Sequence, residues 1–231
     1  MVPVLLYHNI GGSGRSLNVS PQALARQCRL LHWLGFRAIT LRELAAYLQE
    51  HRLPPRTVVF TFDDALLGVY EQARPILHAC GWRATVFAVY ERLGGETEWA
   101  PHLRHRVMSA EQLRELHSAG WEVGAHTLTH PSLPRLPIEE ARHEIAGSRH
   151  ALQQLLGAEV HSFCYPYGDV NEQVVQLVRE AGYQLACTVR KGLVHPRSEP
   201  LLLPRVPVAY SDGAFGLLYR LWRAWSRSRG G

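Results

Sequence analysis

The sequence predicts an α/β protein whose parallel strands close into a barrel of seven or eight strands. Short apolar runs alternate with helical patterns along most of the chain, which is typical of a parallel sheet covered by helices. The length of 231 residues is ordinary for a single domain of this kind. Polar residues able to do chemistry follow several of the apolar runs, and barrel active sites form at the carboxyl ends of strands. An open, doubly wound sheet is the alternative architecture.

Eight short runs rich in apolar residues are predicted as strands. The run at 57–62, Thr-Val-Val-Phe-Thr-Phe, is composed of β-branched and aromatic residues and therefore predicts a buried strand. The eight ranges in chain order are 2–7, 36–39, 57–62, 84–90, 121–126, 162–165, 183–189 and 201–208.

Seven helices are predicted between and after these strands, most of them from a start or stop signal. Ser20 followed by a proline, the capping box that begins at Thr40, and Ser109 each indicate a helix start. Gly157 indicates a helix end, and Pro75 predicts a kink. The ranges are 20–34, 40–50, 69–80, 109–120, 138–156, 171–181 and 215–225.

The composition indicates a folded protein and excludes several classes. Hydrophobic residues make up 46% of the chain and charged residues 19%, which excludes a disordered protein. With no apolar run long enough to span a bilayer and no basic segment before the first strand, we expect a cytoplasmic protein or one peripheral to the membrane. The net charge is +5, but no basic run is interleaved with aromatics, so nucleic acid is not expected as a partner. The four cysteines are scattered and are expected to be core thiols.

The C-terminal segment, 213–231, is predicted to be an amphipathic helix with a basic tail, added to a domain of residues 1–212. Its apolar stripe contains Phe215, Tyr219 and Trp222, with arginines nearby. We expect this helix to pack on the barrel. The alternative is peripheral contact with anionic lipid.

Four segments at predicted strand ends could carry chemistry. Asp63 and Asp64 directly follow the apolar strand 57–62, so they must be solvated, used as a helix cap or coordinated. His126 and His130 lie four residues apart and can meet one metal ion if the segment turns helically, although hydrogen bonding in a loop is the simpler interpretation.

The third segment is Phe-Cys-Tyr-Pro-Tyr-Gly at 163–168. Pro166 fixes φ and removes a donor, and Gly168 permits an unusual turn, so the N–H of Tyr167 can point into a site. An ordinary turn at the end of a strand is the alternative. His8 follows the first strand, where a single histidine is more often structural.

Taken together, these residues supply the parts of an amide hydrolase. One aspartate and two histidines can hold a divalent metal and leave positions open for water and substrate. A second aspartate can take a proton from that water, a backbone N–H can stabilise an oxyanion, and an acid must protonate the leaving nitrogen.

At this level of detail the chain resembles the polysaccharide deacetylases with a NodB-like domain, carbohydrate esterase family 4. It is most similar to the branch that opens with a Tyr-His motif and includes poly-N-acetylglucosamine deacetylases. The resemblance extends over about residues 2–210. The segments that carry it are PVLLYHNI (3–10), TFDD (61–64), RATVF (83–87), HTLTH (126–130), FCYPYG (163–168) and LPRVPV (203–208).

The resemblance implies a single deformed (β/α) barrel, an N-acetylated polysaccharide or oligosaccharide substrate and a divalent metal. Zinc is expected first, with cobalt, nickel or iron as alternatives. Asp63 would be the general base, and the N–H of Tyr167 would help to hold the oxyanion. The late histidine motif that supplies the acid in many members is absent here, so the acid role is carried to His8, as in the Tyr-His branch. The implied metal ligands are Asp64, His126 and His130.

The chain departs from the family pattern at two positions. Ala65 replaces a glycine, and Cys164 replaces an arginine that normally pairs with the catalytic base. We hypothesise that Arg205 replaces that arginine from another strand; the alternative is an arginine exposed at a strand end.

The sequence therefore predicts a metal-dependent N-deacetylase acting on N-acetylhexosamine units. The alternatives are a deacetylase or deformylase of a lipid-linked aminosugar, and a carbohydrate-binding pseudoenzyme. Trp99, in the polar loop 91–107, is a candidate for stacking on a sugar, with a packed loop anchor as the alternative.

Overall fold

The computed structural model describes residues 1–12, 17–99, 104–210 and 212–229, with side chains as far as residue 227. Within these residues there are ten strands and seven α-helices. The strands are β1 (Val4–Tyr7), β2 (Asn9–Ile10), β3 (Asn18–Val19), β4 (Arg37–Ile39), β5 (Thr57–Phe62), β6 (Thr85–Ala88), β7 (Glu122–Ala125), β8 (Ser162–Cys164), β9 (Leu185–Lys191) and β10 (Leu203–Pro207). The helices are α1 (Pro21–Trp33), α2 (Leu41–Gln49), α3 (Arg74–His78), α4 (Ala110–Ser118), α5 (Ile138–Leu156), α6 (Glu172–Glu180) and α7 (Ala214–Arg229).

Eight of the ten strands form one parallel sheet in the order β1-β10-β9-β8-β7-β6-β5-β4. An additional pairing of β1 with β5 closes seven of them into a barrel and leaves β4 outside the ring. The predicted barrel is confirmed, and the open sheet is excluded. Strands β2 and β3, which the sequence did not predict, form a separate two-stranded pair.

The barrel is irregular at β5, because one edge of this strand pairs with both β4 and β6. Residues 57–59 of β5 pair with β4, and residues 61–62 pair with β6, while β1 occupies the opposite edge. In the β1–β5 register Tyr7 lies opposite Phe62, and the Asp63 N–H bonds to the Tyr7 carbonyl at 3.0 Å. The residues that follow these strands, His8 and Asp63, therefore leave the barrel at the same level.

The helices follow the predicted signals closely. The hydroxyl of Ser20 accepts from the backbone of α1, Thr40 and Glu43 form the predicted capping box of α2, and α5 ends at Gly157 in the left-handed conformation. All four cysteines are free thiols, and three of them are buried, as expected of core residues.

The predicted helix over 69–80 is interrupted. A π-helical turn over Val69–Ala73 precedes α3, and the N–H of Arg74 bonds to the Val69 carbonyl five residues back. Pro75 has no N–H to continue the ordinary ladder, which accounts for the break.

Helix α7 packs on the barrel, as expected, but through a different stripe. Leu217 and Ala224 are buried, whereas Phe215, Tyr219 and Trp222 of the predicted packing stripe are 85%, 56% and 59% exposed. Among the described residues, no helix combines the length and apolar character needed to cross a membrane.

Candidate active site

The site lies at the carboxyl end of the barrel, where the predicted segments converge. Four segments following strands contribute to it, and one further side chain comes from within β10. The residues are His8 after β1, Asp63 and Asp64 after β5, His126 and His130 after β7, Tyr167 after β8, and Arg205 in β10.

Asp64, His126 and His130 form a buried cluster suited to a metal ion. The Oδ1 atom of Asp64 lies 3.5 Å from Nε2 of His126 and 3.6 Å from Nε2 of His130, and all three side chains are less than 5% exposed. Asp64 Oδ1 has no hydrogen-bond partner among the described residues. Tetrahedral bonds of about 2.0–2.2 Å place ligands about 3.3–3.6 Å apart, which matches both distances from Asp64. The three ligand atoms all lie within 4.8 Å of one another, so they could hold one ion such as zinc.

The two histidines are held by different contacts. His126 has its Nδ1 2.7 Å from the carbonyl oxygen of Cys164, which fixes the ring with Nε2 toward Asp64. For a ligating histidine this is the usual arrangement, because the second ring nitrogen donates to an acceptor behind it. His130 Nδ1 is buried and has no partner on another described residue.

Glu144 of α5 supports the turn between the two histidines. Its carboxylate accepts hydrogen bonds from the N–H groups of Leu128 and Thr129 at 2.8 and 3.0 Å, and from the Thr129 hydroxyl at 2.6 Å. Glu144 could not be recognised from the sequence, since a glutamate inside a long amphipathic helix resembles any solvated surface residue.

Backbone strain is concentrated at this site. Five of the eight non-glycine residues with positive φ among the described residues belong to it. Such strain is found most often at functional sites. At Ala65 φ is 48°, so the departure from the family's glycine places a methyl group in a conformation that favours glycine. The five residues are Asp64, Ala65, Thr127, His130 and Tyr167.

Arg205 lies fully buried against Asp63. Its Nη1 and Nη2 atoms donate to Oδ1 and Oδ2 of Asp63 at 2.7 and 2.8 Å, and its Nε donates to the Thr188 carbonyl at 2.9 Å. This is the pairing hypothesised from the sequence, and the alternative of an exposed arginine is wrong, because Arg205 is 0% exposed.

The pKa values of the adjacent carboxyl groups of Asp63 and Asp64 are shifted in opposite directions. Burial favours a higher pKa for Asp63, but the charge and hydrogen bonds of Arg205 outweigh it and hold the pKa of Asp63 well below its usual range. Burial, followed by repulsion from Asp63, raises the pKa of Asp64 well above its usual value. Opposed environments of this kind separate the roles of neighbouring acids.

Cys164 occupies the position where the family pattern has an arginine. Its Sγ lies 3.6 Å from Oδ2 of Asp63 and 3.2 Å from Nη2 of Arg205, and burial raises the pKa of the thiol. A second cluster of possible ligands, Asp63, His126 and Cys164, is less suitable for a metal because Arg205 already occupies both oxygens of Asp63 and the thiol stays protonated.

His8 borders a small cleft of about 230 Å³ that is also lined by Asn18 and Tyr210. Burial lowers the pKa of His8, and the charge of Asp63 partly counteracts this effect. His8 is therefore mostly neutral at pH 7, and it lies within electrostatic range of Asp63 and Arg205. Burial also lowers the pKa of His126, to about 4, which keeps that ring neutral and ready to bind a metal.

Tyr167 lies at the apex of a tight turn over Pro166–Gly168 with φ 59°. The hydrogen bonds of the turn come from the N–H groups of Gly168 and Asp169, so the Tyr167 N–H is outside them. The Tyr167 ring meets the His130 ring edge-on, with centroids 4.6 Å apart. The unusual turn predicted from the sequence is thus present beside a candidate ligand.

Comparison with known proteins identifies relatives of the whole chain. The YxkH protein of Bacillus subtilis strain 168, which carries a polysaccharide deacetylase name, is 29% identical over 218 residues, 93% of this chain and 75% of its own. A poly-beta-1,6-N-acetyl-D-glucosamine N-deacetylase of Staphylococcus epidermidis is 26% identical and covers 90% of this chain and 73% of its own.

Solved structures agree with the barrel. IcaB from Ammonifex degensii matches with a TM-score of 0.83 at 27% identity and covers 96% of each chain. The deacetylase PplD from Streptococcus pyogenes, in complex with acetate, matches with a TM-score of 0.84 over 95% of this chain and 97% of its own; at 24% identity this match supports the fold alone. The family model for polysaccharide deacetylase matches residues 50–186, more than half of the chain, and so the chain belongs to the polysaccharide deacetylase family.

Proposed function

We propose that this protein is a metal-dependent hydrolase that removes N-acetyl groups from N-acetylhexosamine units of a polysaccharide or oligosaccharide. The observation that carries the proposal is the buried cluster of Asp64, His126 and His130 next to the carboxylate that Arg205 holds. The poly-N-acetylglucosamine deacetylases among the relatives support the choice of substrate.

The ion would be bound by Asp64 and the two histidines, with zinc preferred for a donor set of two imidazoles and one carboxylate. When bound, such an ion lowers the pKa of water and polarises the amide carbonyl. The low pKa of Asp63 keeps it ionised at neutral pH, and the bidentate contact with Arg205 fixes its orientation.

Three groups of the chain then transfer protons or stabilise the negative charge that develops during hydrolysis. Asp63 accepts a proton from the attacking water, and the Tyr167 N–H donates a hydrogen bond to the carbonyl oxygen as negative charge develops on it. His8 donates a proton to the amine nitrogen as the C–N bond breaks, releasing acetate and the free amine. Because burial lowers its pKa, His8 is neutral before the reaction, and the proton that it donates is the one that Asp63 takes from the attacking water. The second proton of that water passes from the new carboxyl group to the amine, so water and amide give acetate and the protonated amine with no net change in protons.

Acetate release from N-acetylglucosamine oligomers, with zinc or cobalt supplied, tests this function. We expect release by the wild-type protein and a loss of at least about 100-fold in D63N, which retains the shape of the side chain but not the base. Arg142→Met, on the exposed face of α5, is the control and should match the wild type.

Two outcomes would favour the alternatives. Formate release, or acetate release from lipid-linked aminosugars alone, would assign a different acyl group or carrier. Oligomer binding without release under any metal would indicate a carbohydrate-binding pseudoenzyme. Contact with lipid through α7 has no support from the relatives and is not part of the proposal.

A further inference from the structure

Trp99 belongs to a loop whose base is anchored beside the catalytic aspartates. The two arms of the loop are joined by a hydrogen bond from the Thr97 N–H to the His105 carbonyl at 2.9 Å. The N–H of Met108 bonds to the Ala65 carbonyl, also at 2.9 Å, directly after the Asp63–Asp64 pair. The loop is thus fixed to the backbone that carries one candidate metal ligand.

The Trp99 side chain lies against another candidate ligand, His130. The two rings are nearly parallel, at 19°, with centroids 4.2 Å apart. The Tyr167 ring contacts the same imidazole edge-on at 75°. His130 is therefore covered on one face by an indole and touched at its side by a phenol.

These contacts matter because His130 lacks the restraint that His126 has. The second ring nitrogen of a ligating histidine normally bonds to an acceptor, which fixes the direction of the ring. His126 satisfies this through the Cys164 carbonyl, whereas the buried Nδ1 of His130 has no partner on another described residue. Among the described residues, its ring is instead restrained by packing: Tyr167 and His126 touch it edge-on, and Trp99 covers one face.

We propose that Trp99 is a positioning residue that holds the His130 imidazole so that its Nε2 atom faces Asp64 and a bound metal ion. This inference rests on the proposed function, since it assumes the Asp64–His126–His130 metal site. It gives the Trp99 ring a contact with a candidate metal ligand, whereas the sequence left a sugar contact and a packed loop anchor as the two alternatives.

A second effect of Trp99 supports the same role. The indole N–H of Trp99 also donates a hydrogen bond to the Asp64 carboxylate. Trp99 therefore acts on two of the three ligands, stacking on one and donating to the other.

Zinc affinity provides a measurement that does not depend on activity. Metal-stripped wild-type, W99A and W99F proteins compete with a chromophoric chelator for zinc, and the visible absorption of the Co²⁺ forms reports the ligand geometry. Thermal unfolding of each metal-free variant checks the fold. Trp33→Ala is the matched control, because Trp33 ends α1 and is 80% exposed.

We expect W99A to bind zinc about 10- to 100-fold more weakly, the loss typical of groups that orient metal ligands, and to change the Co²⁺ spectrum. W99F retains a ring face but no N–H and should lose less, while W33A should match the wild type. Wild-type affinity and an unchanged spectrum in W99A would overturn the inference and leave the metal site intact. Weaker oligosaccharide binding with wild-type zinc affinity would overturn it in favour of the sugar contact. Failure of the wild-type protein to bind zinc would instead refute the proposed metal site itself.

Discussion

Buried carboxylates occur at both ends of the barrel, and their surroundings differ. At the amino end, Glu122 at the start of β7 accepts hydrogen bonds through both oxygens. Oε2 accepts from the Arg42 N–H and the Thr85 hydroxyl, both at 2.8 Å, and Oε1 accepts from the Ser162 hydroxyl at 2.7 Å. These bonds connect α2 to the starts of β6, β7 and β8.

The cluster at the carboxyl end includes His126, which follows Glu122 by four residues in the chain. Some polar atoms of this cluster have no hydrogen-bond partner among the described residues. Asp64 Oδ1 and His130 Nδ1 are buried without partners among the described residues, and both residues have positive φ. A buried polar atom without a partner is costly. The carboxylate of Glu122, whose bonds are satisfied, serves the fold, whereas Asp64 keeps one oxygen available for the proposed metal ion.

The largest expected effect comes from Asp64→Asn. Loss of the anionic ligand should abolish tight zinc binding and reduce deacetylation more than about 1,000-fold, beyond the loss of one oxyanion donor. Because the raised pKa of Asp64 shows that its ionised form is disfavoured in the fold, the metal-free variant should be more stable at pH 7, by about 1 kcal/mol. Calorimetry and zinc titration check both expectations. Wild-type zinc affinity in D64N would show that the unpartnered oxygen of Asp64 is not a metal ligand.

Arg205→Met should affect both stability and pH dependence. Removing one partner of a buried ion pair costs about 3–5 kcal/mol. Asp63 then keeps its burial but loses the group that lowers its pKa, so its pKa rises and the acidic limb of the pH–rate profile moves to higher pH. The stability deficit of the variant should shrink as the pH falls, because protonation removes the unpaired charge. An unchanged acidic limb would show that Arg205 does not tune the base.

Glu122→Gln should destabilise the protein without altering the site. Hydrogen bonds to a charged acceptor contribute about 1.5–3 kcal/mol, and glutamine cannot accept from all three donors. We expect a loss of that size in urea unfolding, with zinc affinity per folded molecule unchanged. A parallel loss of zinc affinity in the folded protein would mean that the two ends of the barrel are coupled.

Ala65→Gly should have the smallest effect. Glycine relieves about 1 kcal/mol of strain at φ 48°, but it adds backbone freedom and removes a buried methyl group of similar value. The free energy of unfolding should therefore change by less than about 1 kcal/mol. A change above about 2 kcal/mol would indicate that this turn contributes to stability in another way.

The barrel and the convergence of the candidate site residues could both be predicted from the sequence, because both follow from local patterns. Apolar runs locate strands, and the polar residues after Phe62 and Ala125 must meet at one end of a parallel barrel. Arg205 was also found, because the family pattern left Asp63 without its usual partner.

The remaining features depend on contacts between distant segments. Glu144 bonds to Leu128 and Thr129, which lie 16 and 15 residues earlier in the chain, and these bonds exist only once α5 packs against the turn. The stacking of Trp99 on His130 likewise needs the loop conformation. The stripe of α7 that packs was wrongly assigned because both stripes of that helix carry large apolar residues, and only the barrel surface selects Leu217.

The most direct measurement is a zinc titration of metal-stripped wild-type protein with acetate release from N-acetylglucosamine oligomers measured at each step. We expect little release without zinc, a linear rise with added zinc and a plateau at about one equivalent. Full release by the metal-free protein, or activity that does not follow zinc occupancy, would contradict the claim that the unsatisfied cluster at the carboxyl end is the metal site of a deacetylase.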